Sequence, residues 1–318
     1  MTPQVTVAVV STNLRELLAA TLRSLEPEAR AGRAEVWVVD NASEDGSPQM
    51  VEEEFPWVSL IASDENVGYG RAVNLVAERA DAPWIAPANE DIELTPGALE
   101  RLLATGEEHP EAAIVAPRLV LPDESTQHSV HSFPTLPVTL LVNLGLTGVS
   151  RRLADRMCLP GRWDWRRSRE VPWAIATFMI VRREAFDAVG GFDREQWMHA
   201  EDLDLGWRVR RAGWTIRYEP AAVVRHEGSA ASKKAFSEDL MTRFMAASYS
   251  WMARRRGIAN AWTIATINYA GAASRYLLFS SLARLAPARF GRARDSARYW
   301  VGVHRTGLRS RAALMRPH

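Results

Sequence analysis

Val5–Ser11 reads VTVAVVS, an apolar run of strand length that does not alternate with polar residues. A strand of this kind is expected to be covered on both faces, as in a parallel sheet. Working outward, Asn13 is expected to cap a helix, with Glu16 three residues on completing a capping box. Leu14, Leu17, Leu18, Leu22 and Leu25 follow at helical spacing. A second strand, AEVWVVD, ends at Asp40, and the turn-rich NASEDGS leads to Pro48 at a first helical position. A third strand is expected over Val58–Ala62, then the loop SDENVGYG and a helix from about Arg71 to Arg79. The fourth, PWIAPANED, ends at Asp91, and Thr95-Pro96 opens another helix.

Strands and helices alternating at this length predict an α/β fold, a mostly parallel sheet with helices on both faces. Ligands of such sheets bind beyond the carboxyl ends of the strands. Asp40, the Asn66–Gly70 loop and Asn89-Glu90-Asp91 all fall on that edge. Between residues 122 and 170 prolines, arginines and tryptophans dominate, which reads as an irregular insertion on a substrate site. A strand over Trp173–Val181 resumes the sheet. After GGFD comes a short helix in MHAEDLDLGWRVRRAGW, where Leu203, Trp207 and Arg210 share a face and Gly213 supplies a stop. Its mouth holds Glu201, Asp202 and Asp204, carboxylates that a helix macrodipole favours. A strand pair, Thr215–Tyr218 and Ala222–His226, follows, and from about Phe236 the chain reads as helices. The expected organisation is a catalytic domain over residues 1–230 and a helical extension over 231–318.

The 318 residues are 47% hydrophobic, ample for a core. One cysteine, Cys158, excludes an internal disulfide framework and fits a reducing compartment. The N-terminal MTPQVTVAVV has no basic region, so no signal peptide is expected. The net charge of +1 conceals a division: residues 1–250 carry 26 basic and 37 acidic side chains, residues 251–318 thirteen arginines and one acid, Asp295. A basic tail of this kind suits an anionic membrane surface; nucleic acid is not expected as a partner, because the acidic body repels its backbone. Gly257–Ser274 has no charged residue, yet Asn260, Asn268 and its alanines make it a poor membrane span. It is expected either to lie in the membrane interface or to pack as a helical pair on the catalytic domain.

The phosphate loops G-x-x-x-x-G-K-[ST] and G-x-G-x-x-G are absent, so a bound phosphate needs a metal or an arginine. Asp91 is the candidate oxygen ligand for a hard divalent cation and Arg71 a pyrophosphate contact, while His226 is either a second ligand or, as a lone histidine more often is, structural. His128 and His131 have a ligand-like spacing, but no second pair accompanies them and no zinc site is expected.

The pieces VTVAVVSTN, VWVVDNASEDGS, ENVGYGRAVN, ANEDIELTPGALE, FMIVRREAFDAVGGFD, EDLDLGWRVRRAGW and VVRHEG resemble, in order over about residues 5–228, the family-2 inverting glycosyltransferases of GT-A fold. Their rhamnosyltransferase-like branch is the nearest in pattern. The resemblance implies a Rossmann-like sheet, a nucleotide diphosphate sugar donor (dTDP- or UDP-linked, with rhamnose as one expected sugar) and Mg²⁺ or Mn²⁺. It further implies a lipid-linked or cell-envelope glycan acceptor, met at the cytoplasmic membrane face. Carried onto this chain, Asp40 would accept from the nucleobase, and Ser11, Asn66, Gly68 and Arg71 would line the nucleotide pocket. Asn89 would lie near the ribose, Asp91 and His226 would bind the metal, and Asp202 would be the catalytic base. Glu201 and Trp173 would face the acceptor or sugar, and Asp204 would be structural. Thr12 stands where the family often has an aromatic, and Ile175 and Thr177 where it has small residues near the sugar pocket, so the nucleobase stays open. Two other classes are weighed: a non-catalytic nucleotide-sugar binder, and a nucleotidyltransferase on a similar fold, which needs a basic glycine-rich loop that STNLRELL does not supply.

Overall fold

The structure, a computed structural model, describes residues 2–146, 150–228 and 240–309. It divides into two compact units, residues 1–132 with 157–235, and residues 133–156 with 236–318.

In the first unit, β1 (Val5–Ser11), α1 (Arg15–Arg30), β2 (Ala34–Asn41), α2 (Ser47–Glu54), β3 (Ser59–Ser63), α3 (Tyr69–Ala77) and β4 (Trp84–Asn89) alternate as expected. Every residue of β1 is buried. β5 (Ile92–Leu94), α4 (Ala98–Glu108), β6 (Ala112–Val120) and β7 (Val130–His131) follow. After the 133–156 segment come β8 (Arg169–Glu170), β9 (Trp173–Ala174), β10 (Ile180–Arg182), α7 (Arg183–Ala188), α8 (Glu201–Arg211) and β11 (Thr215–His226). The sheet order is β3-β2-β1-β4-β10-β6-β11-β5, with β8 on β11. β3, β2, β1 and β4 run parallel, while β10 is antiparallel to both its neighbours. The chain winds outward from β1 to β3, then returns to place β4 on the other flank of β1. The crevice between β1 and β4 is therefore the point where the winding reverses, the ligand position of such sheets. The register sets Ser11 beside Asp40 and Val10 beside Asn89 at that edge.

Several local expectations are corrected. Asn13 does not cap α1: it adopts the left-handed region (φ 57°), and Leu14 holds the cap position without a side-chain bond. The Asn13 Oδ1 instead accepts from Glu44 N–H (2.8 Å) and its N–H donates to Ser43 (2.8 Å), tying the loops after β1 and β2 together. Asparagine tolerates that backbone, so the loop contact wins over the cap. The fourth strand stops at Asn89, and Glu90-Asp91 form a turn into the antiparallel β5. Helix α4 begins at Ala98 behind Gly97 (φ 78°), leaving Thr95-Pro96 in the preceding turn. The strand expected over Trp173–Val181 is broken into β9 and β10, whereas the strand pair is one bulged β11.

The second unit holds α5 (Leu136–Asn143), α6 (Arg151–Arg156) and the helices Leu240–Arg256, Ile258–Leu285 and Pro287–Arg309. Residues 133–156, read from sequence as the middle of an insertion, thus group with the C-terminal helices. A polar chain links them: Asn143 donates to Asn268 (2.8 Å), Asn268 to Tyr249 (3.2 Å), and Arg275 to Asn143 Oδ1 (3.1 Å). The expected boundary at 230, the helix start at Phe236, and Arg311 and Arg316 lie outside the described residues.

Candidate active site

Asp40, at the end of β2, is buried; its Oδ2 accepts from Ser43 N–H (2.8 Å). Its Oδ1 is buried with no hydrogen-bond partner among the described residues. A buried acceptor without a donor is costly, so this oxygen is suited to an N–H supplied by a ligand. Ser11 donates its hydroxyl to Glu90 (2.6 Å), and the same Glu90 oxygen accepts from Thr12 N–H (2.7 Å). Glu90 thereby ties the end of β1 to the end of β4. Burial pushes its carboxyl up to about 7, against the two donors that hold it down, with Asp91 and Asp40 adding to the rise.

Asp91 occupies the turn after β4, where its carbonyl accepts from Glu227 N–H (3.0 Å). Thr21 of α1 fixes the same turn, its hydroxyl lying 2.8 Å from the Glu90 carbonyl and 2.7 Å from that of Ile92. The Asp91 carboxylate stands 3.3 Å from Nε2 of His226, and the other ring nitrogen of His226 lies 2.7 Å from Gln127 Oε1. A carboxylate oxygen beside an imidazole whose far nitrogen is held by a second residue is the donor set of an oriented metal-binding pair. Among the described residues no cluster of three His, Cys, Asp or Glu suits a metal. A cation held here would take its other ligands from phosphate oxygens and water, which is how Mg²⁺ is usually bound. The two residues fit that role.

The loop before α3 is held from the opposite side of the crevice. Asn66 Oδ1 accepts from Gly68 N–H (2.9 Å), and Trp197 donates its indole N–H to the Asn66 carbonyl (3.2 Å). Gly68 (φ 85°) is required twice, since a Cβ there would also lie 2.2 Å from the Trp197 carbonyl oxygen. Arg71 is exposed, and its Nε donates to the Arg194 carbonyl (2.7 Å). Asn74, one turn on, clamps the GGFD turn with both ends of its amide, donating to the Phe192 carbonyl and accepting from Phe192 N–H, each at 2.9 Å.

Asp202 and Glu201 open α8. Asp202 accepts from Leu203 N–H (2.7 Å) and from Ala176 N–H (3.4 Å). Burial pushes both carboxyls up, and Glu201 rises further because the Asp202 charge adds to its burial. The sequence reading credited the helix end with keeping Asp202 ionised; the structure shows burial working against it, partly offset by the two backbone N–H donors. Of two crowded acids, Glu201 takes the proton first and Asp202 stays ionised the more readily. The preceding residues, His199 and Ala200, both have φ of 60°, a strained entry for residues with a Cβ. Asp204 is wholly buried and pairs with Arg208 (2.6 Å).

Tyr69, not singled out in the sequence, joins the two halves. Its hydroxyl donates to the Ala176 carbonyl, and its phenol is held un-ionised first by burial and then by the charges of Glu201, Asp202 and Asp91. The 175–177 segment is therefore shared: Ala176 touches Tyr69 and Asp202, and the Thr177 carbonyl accepts from Asn89 N–H (2.9 Å). Tyr69, Asn74 and Glu90 all lie inside quoted motifs, but spacing alone assigns none of them a role.

One expectation is not met. Trp173 is 5% exposed, stacks on His131 (4.8 Å between rings) and gives its indole N–H to the Ser132 carbonyl (3.1 Å). With Gly206 of α8 against its Cβ, it supports the helix carrying Asp202 and presents no face to a sugar. Ile175 is partly buried and packs against the sheet core. His128 is bound to the Cys158 carbonyl (2.7 Å) and packs edge-on to His131, consistent with packing in place of metal binding.

The sequence profile described as Glycosyl transferase family 2 matches residues 6–190. The chain belongs to that family. Among family-2 relatives, the N-acetylglucosaminyl-diphospho-decaprenol L-rhamnosyltransferase of Mycobacterium tuberculosis is 34% identical over 208 residues, 60% of this chain and 66% of the relative. The chain thus spans just under two thirds of that relative's length. The Rhamnosyltransferase WbbL of Escherichia coli K12 is 34% identical over 94 residues, covering 28% of this chain and 34% of its own. The mannosyltransferase PcManGT of Pyrobaculum calidifontis, solved with GDP-Man and Mn²⁺, superposes with a TM-score of 0.60 at 16% identity, covering 98% of this chain and 88% of that one. The fold is that of the GT-A glycosyltransferases.

Proposed function

We propose that the chain is an inverting, metal-dependent glycosyltransferase that moves a sugar, rhamnose from a dTDP donor in the first instance, onto a lipid-linked or cell-envelope glycan hydroxyl. The observation carrying this reading is that Asp91, paired with His226, and the carboxylates Glu201 and Asp202 all act on the Tyr69 phenol, while the Asp40 oxygen without a hydrogen-bond partner lies at the end of β2, next to β1 on the same sheet. Asp40 would accept from the nucleobase, with Ser11, Asn66, Gly68 and Arg71 around the nucleotide and Asn89 near the ribose. Asp91 and His226 would hold Mg²⁺ or Mn²⁺, which when bound neutralises the leaving diphosphate. Asp202 takes the proton of the acceptor hydroxyl as that oxygen attacks the anomeric carbon from the face opposite the diphosphate, which leaves with the bonding electron pair. Glu201, protonated, orients the acceptor. The acceptor's lipid places the enzyme at the inner membrane face, where the C-terminal arginines meet anionic headgroups.

The test is thermal stabilisation by UDP, dTDP, GDP and their sugars, with and without Mn²⁺ or Mg²⁺. A ligand at a hundred times its Kd adds about 2.7 kcal/mol to stability, so weak binders register. Stabilisation by dTDP- or UDP-linked species that needs the metal is expected. No shift with any of them would remove the enzyme reading, and binding without transfer to any acceptor would favour a nucleotide-sugar binder.

A further inference from the structure

The helix Ile258–Leu285 is built inside out. Its buried residues are Ala261, Ile264, Ala265, Ala272 and Ala283, four of the five alanines. Ile264 apart, its most exposed side chains include large apolar ones: Trp262 is 47% exposed, Leu277 67%, Leu278 55% and Leu285 85%. Helix α5, fastened to it through Asn143 against Asn268 and Arg275, repeats the arrangement. There Thr139 is buried while Leu136, Leu140 and Val142 are exposed, with Leu144 exposed just beyond the helix. A helix bathed in water buries its large apolar residues; small residues at the packing face and large ones outward suit an apolar surrounding.

We infer that this outward face seats in the interfacial layer of an anionic bilayer, its leucines and Trp262 among the lipid chains. This rests on the membrane-facing part of the reading above and deepens it: the hold is apolar insertion, which the arginines only steer. Charge selects the occupant. Residues 251–318 carry thirteen arginines and one acid, so two copies of this unit repel face to face, whereas anionic headgroups attract it. Arg254 and Arg255 are exposed immediately before Ile258, and Arg284 is exposed beside Leu285. Among the described residues no helix is long and apolar enough to cross a membrane, so the helix lies on the bilayer.

The full chain is sedimented with vesicles of phosphatidylcholine alone or mixed with phosphatidylglycerol, at low and high salt. Binding to the mixed vesicles that survives high salt is expected, because salt screens the arginines and leaves insertion intact. The double variant Leu277→Glu/Leu278→Glu should lose at least about tenfold of the high-salt binding while keeping its nucleotide-induced thermal shift, since both residues are exposed and remote in sequence from the donor site. Quenching of Trp262 by brominated lipid, taken as the difference between wild type and Trp262→Phe, gives a second readout that needs no destabilising change. Release of wild type by salt with the double variant indistinguishable would overturn insertion in favour of arginines alone. A concentration-dependent dimer abolished by the same variant would assign the face to a second copy. Absence of the nucleotide shift in wild type would strike the donor reading and leave the vesicle result to stand separately.

Discussion

Leu18, Leu22 and Leu25 of α1 are wholly buried against the sheet, whereas Leu277, Leu278 and Leu285 of the long C-terminal helix stand in the open. Residue type and local backbone are the same; only the surroundings differ. In the first unit each leucine contributes about 1.5–3 kcal/mol by leaving water, and the sheet edge it supports is held still enough for chemistry. In the second unit these three leucines contribute nothing of the kind; buried Trp251, Met252 and Ile264, the alanines and a polar chain through Asn143, Asn268 and Tyr249 hold the helices together. The lesson is that a leucine stripe announces a helix face but not its solvent. The charge balance, acidic over residues 1–250 and basic beyond, divides the chain along the same line.

The largest effect that separates the units should come from the first. Asp202→Asn keeps the shape and one acceptor oxygen for Leu203 N–H but removes the base, so transfer should fall by about 10²–10⁴-fold. Donor binding, read by the same thermal shift, should persist. If the variant transfers sugar at the wild-type rate, the base lies elsewhere, with Glu201 the next candidate. Next in size is a matched pair of truncations. Leu22→Ala leaves a cavity under the sheet and should cost about 2–5 kcal/mol in urea unfolding, while Leu278→Ala should change stability by about 0.5 kcal/mol or less. Equal costs would mean that Leu278 packs in solution and would dissolve the contrast on which the membrane face is argued.

How much of this was legible in the sequence follows from what each signal reports. β1 was readable because seven mostly apolar residues have few alternatives to a doubly covered strand, and Asp40 and Asn89 followed at strand ends, with Asp91 in the turn just beyond. The capping box was not, because Asn13 had a competing partner in the Glu44 N–H, a loop 31 residues away that no local pattern encodes. Trp173 looked like a sugar platform by type; only its burial, the stack on His131 and the bond to the Ser132 carbonyl show the ring and its N–H engaged in the fold. Tyr69 and Glu90 escaped for the same reason: each acts by reaching another chain segment, Ala176 and Ser11. Residues 133–156 were assigned to the acceptor side by sequence neighbourhood, yet they group with helices over a hundred positions later. Local patterns gave the elements and their edge; long-range partners gave the roles.

The smallest expected effect is nil at neutral pH and tests whether the C-terminal helices, despite their exposed leucines, have a packed interior of their own. His304 accepts or donates to Tyr249 at 2.9 Å and stacks on Trp300 with ring centres 5.5 Å apart. Burial first, and then the Arg275 charge, lower its imidazole to about 4. In the unfolded chain the ring takes a proton near pH 6.5. Above that pH both states are neutral and the folded state keeps its full stability; as pH falls from about 6.5 through 4, the unfolded state binds a proton the folded state refuses, and stability drains away. His304→Gln, which retains a polar group for Tyr249, removes that proton from the balance. Thermal melts stepped from pH 7 to pH 4 should therefore show wild type falling more steeply than the variant, with the two closest at pH 7. Parallel curves would mean that His304 meets water in the folded protein, and that these helices lack the dry interior their alanine packing implies.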